Sequence, residues 1–225
     1  MPPERRPRHS AALQPLRAIR LSENRGQGFA LNVGADAATG KYVFYGEDDY
    51  LLAPDQVVIL LQHLERSGAD IIAGRRVNVR PDESCDTAVR RTMLYDDPLI
   101  ERWAAVQNPW VDVGEDVEAL LLDACILVRR DVVRRVRFDS AFRGNGWREE
   151  SDFQLTALKA GHRLVHCSHT VGFHRPRGVG RGVGGARGRN RVCYEWWVIR
   201  NNTYFLRKHW SFLSLGDAIC ASHRP

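Results

Sequence analysis

Short, dense apolar runs alternate along this chain with segments whose apolar residues recur at helical spacing. Tyr42 to Tyr45 reads as a strand, and Pro54 to Ser67 as a helix. In that helix proline suits the first turn, Val57, Val58, Leu60, Leu61 and Leu64 predict an apolar face, and Gly68 can end it. Asp70 to Ala73 reads as the next strand. Strand, helix, strand implies a βαβ unit and a mainly parallel sheet flanked by helices, an α/β fold. Elsewhere the pattern predicts a short strand at Leu16 to Leu21, a loop at Asn24 to Gly28 and an alanine-rich helix at Phe29 to Ala38. Strands follow at Ala124 to Val128 and Arg163 to His166, with a short helix capped by Asp131 and a longer one at Ser151 to Ala160 that Gly161 ends. Val79 to Gly114, with several prolines and acids, reads as an irregular insertion. Tyr194 to Trp210 predicts an amphipathic helix with aromatic anchors. It can pack on the core or lie on a membrane surface, and the area its aromatics would bury favours packing.

Composition narrows this to one sizeable core in 225 residues, with 44% hydrophobic residues. No apolar run is long enough to span a bilayer, and no secretory signal is evident. Residues 1–15 predict a basic, proline-rich disordered tail, 16–210 the folded domain, and 211–225 a C-terminal tail. The net charge of +6 is concentrated in Arg175 to Arg191, where arginines and glycines alternate without an acid. Such a segment predicts a flexible loop, either simply solvated or meeting anions: phosphates, nucleic acid or acidic lipid. The cysteines Cys85, Cys125, Cys167, Cys193 and Cys220 form no CxxC pair and are odd in number, which points to a reducing cytoplasm.

The chemistry lies in the acids. Glu47-Asp48-Asp49 leaves a strand at the place where open α/β sheets bind ligands. It is either a solvated turn or a set of oxygens for Mg²⁺ or Mn²⁺ shared with a substrate's phosphates. A second group, Glu149-Glu150-Ser151-Asp152, follows the loop Gly144-Asn145-Gly146 and opens a helix. It can complement the helix dipole or take a proton from an attacking hydroxyl. His174 follows a strand and can be structural or a metal ligand. Asp112, Glu115, Asp116 and Glu118 read as surface charges, because no strand gathers them.

The order of these motifs resembles inverting glycosyltransferase family 2. NRGQGFALNVGADAATGKYVFYGEDDYLLAPD is similar to the stretch leading into the family's DXD motif. FDSAFRGNGWREESDFQLTALKAGHRLVHCSHTVGFH is similar to its later ED-type segment with a closing histidine, and RNNTYFLRKHW to its C-terminal helix. The resemblance covers Leu16 to Trp210 apart from Val79 to Gly114. It implies a Rossmann-like GT-A fold, a nucleotide-diphosphate sugar donor and a divalent metal, Mn²⁺ or Mg²⁺. It implies that Asp49 and His174 ligate the metal, that Glu47 and Asp48 meet the donor, and that Asn32 contacts substrate. Glu150 would be the catalytic base with Glu149 its preceding acid. Gly146 and Trp147 would border the acceptor pocket, and Asp152 would anchor the helix start or touch the acceptor. Glutamate stands at 47 and 150 where aspartate is commoner. The family also opens with a nucleotide-binding strand–helix–strand unit that has no counterpart in MPPERRPRHSAALQP, so the fold is expected to be N-terminally truncated.

The leading expectation is therefore a metal-assisted sugar transferase acting with inversion on a glycan, lipid-linked or small-molecule acceptor. It would be cytoplasmic, with peripheral contact at the inner face of a membrane left open. A non-catalytic glycosyltransferase-like protein is the alternative. Nucleic acid is not expected as a partner, because no aromatics interleave the arginines of 175–191 to stack bases.

Overall fold

The computed structural model describes residues 17–101, 105–174 and 191–214. The expected N-terminal tail lies outside them, as do the basic loop up to residue 190 and the C-terminal tail from residue 215. In chain order the elements are α1 (Gln27–Ala37), β1 (Tyr42–Tyr45), β2 (Tyr50–Leu51), α2 (Gln56–Ser67), β3 (Ile71–Asn78), α3 (Cys85–Thr92), β4 (Ile100–Glu101) and β5 (Val106–Gln107). Then come β6 (Asp116–Glu118), β7 (Ile126–Arg129), α4 (Arg130–Arg135), α5 (Glu149–Lys159), β8 (Leu164–His174) and α6 (Arg191–Ser214).

The main sheet runs β1-β7-β3-β8, with β6 along the first part of β8 and β2 along its end. The expected α/β sheet flanked by helices is present, and its pairing is mixed. β3 and β8 are parallel neighbours. β1 and β3 also point the same way, but antiparallel β7 lies between them. The crossover through α2 thus skips one strand position. Alternate residues of each strand serve different layers. Val43, Tyr45, Ile71, Ala73, Ile126 and Val128 face a core completed by Val132, Phe138 and Phe153. On the other face Ile72, Leu127, Val165 and Cys167 pack under Leu60 and Leu64 of α2.

Several expectations change. Residues 17–21 form no strand. On α2 the buried positions are Gln56, Leu60 and Leu64, one helical face, and that register leaves Val57 and Val58 outside. Gly68 does end the helix, in the left-handed conformation at φ 67°. Asp131 lies inside the first turn of α4, and the cap position is Arg129. The segment expected to be irregular holds α3, whose cap Ser84 accepts from the Thr87 N–H at 3.1 Å, and the β4–β5 ribbon. β8 extends far beyond His166, and it is this extension that carries His174 into the site. Among the described residues no helix is long and apolar enough to cross a membrane.

The last helix packs, as expected, but of its three tryptophans only Trp197 takes part, set against Gly144. Asn201, Phe205 and His209 are its buried face, whereas Trp196 and Trp210 are exposed. The attachment is polar at its centre. Fully buried Asp152 of α5 accepts from His209 Nε2 at 2.8 Å and from Lys208 Nζ at 2.9 Å. Lys208 also donates to Asp139 at 2.8 Å. Removing the shared carboxylate would leave the buried His209 Nε2 without a partner and Lys208 with Asp139 alone. We expect Asp152→Ala to lower unfolding free energy by about 3–5 kcal/mol in urea titrations. Asp152→Asn, which keeps one acceptor, should lose less.

Candidate functional site

The site forms where β1, β3 and β8 end. After Tyr45 the chain turns through Gly46 into Glu47-Asp48-Asp49 and then pairs as β2, with Tyr50 opposite His174. That register puts Asp49 beside the end of β8. Gly172 permits it, because a Cβ there would overlap the Tyr50 hydroxyl. Gln56 Nε2 donates to that hydroxyl at 2.8 Å and fixes the ring. The outcome is a cluster in which His174 Nε2 lies 3.4 Å from Asp49 Oδ2. Glu47, Asp49 and His174 each bring one ligand atom within 4.8 Å of the others. Two carboxylates and an imidazole suit a divalent cation such as Mn²⁺ or Mg²⁺. Asp48 is exposed beside them.

Arg76, near the end of β3, is the cation built into this acidic corner. Its Nη1 lies 3.4 Å from Glu47 Oε2 and its Nε 3.0 Å from Asp123 Oδ1. Asp123 is almost completely buried, just before β7. Burial pushes its carboxyl above the ordinary range, and Arg76 offsets only part of that. Burial likewise raises Glu47, against the opposing pull of Arg76. Sequence reasoning missed both Arg76 and Asp123. The pair Arg75-Arg76 inside the otherwise mostly apolar run of β3 was the available signal.

The second acidic group separates into two environments at the start of α5. Glu149 turns inward and is fully buried. It sits under two glycines: a Cβ at Gly28 would come within 3.5 Å of its Oε2, and one at Gly146 within 2.8 Å of its Oε1. Gly146 is also at φ 66°, where a side chain is strained. Neither Glu149 oxygen has a hydrogen bond of normal geometry among the described residues. Burial first, and Glu150 second, push its carboxyl to about 8, and only the Gly28 backbone opposes them.

Glu150 is partly accessible and faces the acidic corner. Gln27 Nε2 of α1 donates to its Oε1 at 3.4 Å. Burial, then the charges of Glu47 and Asp123, raise it to about 7, against its own backbone N–H and Arg76. Glu150 therefore shares one electrostatic neighbourhood with Glu47, Asp123 and Arg76. Glu47 in turn is coupled to His174 and Asp49.

Two other expected site residues are occupied elsewhere. Asn32 exchanges two hydrogen bonds with the Phe138 backbone, donating to its oxygen at 2.8 Å and accepting from its N–H at 3.0 Å, which pins α1. A buried carboxylate shared by Lys208 and His209 gives Asp152 a structural role and no surface for an acceptor. Trp147 is 40% exposed beside Gly146 and Glu150 in sequence, so it is available to a ligand.

A model of the glycosyl transferase family 2 domain matches residues 7–137, more than half of the chain. The chain belongs to glycosyl transferase family 2. The matched span contains Glu47 to Asp49, Arg76 and Asp123, whereas the family 2 match stops before Glu149, Glu150 and His174. A crystal structure of S. aureus TarS 1-349 in complex with UDP-GlcNAc is similar at a TM-score of 0.51 and 13% identity, over 80% of this chain and 47% of that one. A second crystal structure of TarS 1-349 has a TM-score of 0.49 and 12% identity, over 69% of this chain and 42% of that one. The chain thus spans less than half the length of these structures, and the likeness to the UDP-GlcNAc complex is one of fold. No curated protein sequence matches the chain.

Glu149 generates a pH prediction. Its carboxyl titrates at about 8 when folded, against an ordinary 4.5. Between those values the folded protein holds a proton that the unfolded chain has released. The associated stability is full below about 4.5 and is lost as pH rises to about 8. Denaturation midpoints measured across that range should fall with pH in the parent and fall less steeply in Glu149→Gln, where only the share of Glu150, raised to about 7, remains. A mutant that keeps the parent's slope would exclude Glu149 as its source.

Proposed function

We propose that this chain carries the catalytic centre of an inverting sugar transferase that uses a nucleotide-diphosphate sugar. The observation that carries the reading is Glu150, a carboxyl titrating at about 7 in the same acidic corner as the Glu47–Asp49–His174 cluster. A general base works best with a pKa near the working pH. The nucleotide-sugar complex of TarS, a protein of similar fold, makes a UDP-sugar the first donor to test.

In this reading the acceptor's hydroxyl proton passes to a Glu150 carboxylate oxygen. The acceptor oxygen attacks the anomeric carbon from the face opposite the leaving group, and the bond to the diphosphate breaks with its electron pair staying on the phosphate oxygen. One displacement inverts the configuration, through an oxocarbenium-like state. Glu47, Asp49 and His174 would hold Mn²⁺ or Mg²⁺, whose contribution is Lewis-acid neutralisation of diphosphate charge. Arg76 keeps Glu47 and Asp123 compatible with one another while the donor enters. Gly146 and Trp147 border the acceptor side. The acceptor is a glycan, a lipid-linked or a small-molecule hydroxyl. The described cysteines, Cys85, Cys125, Cys167 and Cys193, are free thiols, which suits a reducing cytoplasm.

Glu150→Gln should cut turnover about 10²–10⁴-fold with donor affinity nearly unchanged, as loss of a general base does. In the parent, kcat/KM should rise with pH through about 7, where Glu150 loses its proton, and the rise should vanish in the variant. Full turnover in Glu150→Gln would remove Glu150 from the chemistry. Asp49→Asn tests the cluster separately: Mn²⁺-dependent binding of a UDP-sugar, followed by calorimetry, should weaken. Equal binding by parent and Asp49→Asn would take Asp49 out of the donor site.

A further inference from the structure

A second group of ligand-type side chains converges on the same sheet, well away from the acidic corner. Asp116 of β6 and Cys167 of β8 are opposite one another in register. His63 of α2 reaches down to them, its Nδ1 2.6 Å from Asp116 Oδ2. The ring of His169 lies 4.6 Å from that of His63, and its Nε2 is 4.0 Å from Asp116 Oδ1. His63, Asp116 and Cys167 each offer one ligand atom, all within 4.8 Å of one another. Cys167 and His174 of β8 lie opposite Gly74 and Asn78 of β3, four residues apart, which is about 13 Å at about 3.3 Å per residue. The two clusters therefore cannot share an ion.

Two features of this cluster are poorly satisfied as they stand. Asp116 Oδ1 is buried and has no hydrogen-bond partner among the described residues. His63 Nδ1 lies between Asp116 Oδ2 at 2.6 Å and Arg66 Nη2 at 2.8 Å. One ring nitrogen cannot donate to a carboxylate and accept from a guanidinium at once. The Arg66 side chain is 67% exposed, so it can swing away and leave its place to another cation.

We propose that His63, Asp116, Cys167 and His169 form a zinc site that fastens α2 to the β6–β8 side of the sheet. The donor set is one sulfur, two imidazoles and one carboxylate, the mixture that zinc accepts in tetrahedral sites. Thiolate and imidazole select zinc over magnesium or calcium. Zinc–ligand bonds of about 2.0–2.3 Å place ligand atoms about 3.4–3.7 Å apart in a tetrahedron. The spread of up to 4.8 Å among three of them closes with small side-chain rotations. Binding releases the thiol proton to solvent, gives the orphaned Asp116 oxygen a partner, and converts the Nδ1 lone pair from a contested acceptor into a ligand.

Co²⁺ is the probe, because a thiolate–cobalt charge-transfer band reports a cysteine ligand and the Glu47–Asp49–His174 cluster contains none. The metal-free full chain titrated with Co²⁺ should develop the band, and Zn²⁺ should abolish it stoichiometrically. Cys167→Ala should remove it. His63→Ala, checked for native folding by its circular dichroism spectrum because the side chain is largely buried, should weaken Co²⁺ binding by more than the roughly 10–100-fold typical of losing an outer-shell partner. His174→Ala should leave the band intact. Arg66→Gln should tighten binding, since the competing cation is gone. Zn²⁺ should raise the melting temperature of the parent by more than that of His63→Ala, in which the Glu47–Asp49–His174 cluster remains. Absence of the band in the parent, or its survival in both Cys167→Ala and His63→Ala, would overturn the site.

Discussion

The described structure turns on one electrostatic constraint: Glu47, Asp48, Asp49, Asp123 and Glu150 gather at one end of a sheet, and Arg76 is the guanidinium that pairs with two of them. Carboxylates this crowded cannot all be ionised in a partly desolvated corner. Three answers are visible in the fold. Arg76 spans Glu47 and Asp123. Glu150 keeps its proton up to about 7. His174 closes on Asp49, completing a donor set that a divalent cation would stabilise. The three acids after Tyr45 are therefore no ordinary solvated turn, because Glu47 is drawn under the protein's own charge network.

Backbone geometry serves that constraint at three glycines. Gly172 gives the Tyr50 ring room, so β2 can pair with β8 and bring Asp49 to His174. Gly28 and Gly146 let α1 and the turn before α5 close over Glu149. A methyl group at Gly146 would push against a buried carboxyl, and α5 would shift together with Glu150, whereas one at Gly28 would crowd Phe138 Cβ at 3.2 Å and only touch the carboxyl. Asn32 and Asp152 act in the same direction from further out. One pins α1 to the Phe138 backbone, and the other clamps α5 to α6.

Much of this was legible in the sequence where the signal is local. Tyr42 to Tyr45 announces its strand by apolar density, α2 its length by proline and glycine, and both acidic groups their helix or strand ends. What was not legible depends on pairing across the chain. β7 between β1 and β3 cannot be read from any window that contains only one of them. The face of α2 is set by what lies under it, which is why Val57 and Val58 came out exposed. Asp116 looked like a surface charge because a three-residue strand carries no periodicity, yet β6 aligns it with Cys167. Arg76 and Asp123 lie 47 positions apart and make sense only as partners.

Adjacent acids on a helix diverge by about 100° of rotation, and here that difference separates two roles. Glu149 points into the protein and answers mainly to burial; Glu150 points to the corner and answers to burial and then to Glu47 and Asp123. Each carboxylate, once ionised, makes the other harder to ionise. Because Glu150 is partly accessible and receives the Gln27 amide while Glu149 is fully buried, Glu150 is the one that ionises first, and its new charge helps hold the proton on Glu149. At neutral pH the pair then carries roughly one negative charge at most, located where a substrate can reach it. Exchanging the two environments would bury the charge and expose the proton. The glycines over Glu149 therefore matter to the chemistry of Glu150 even though they never touch it.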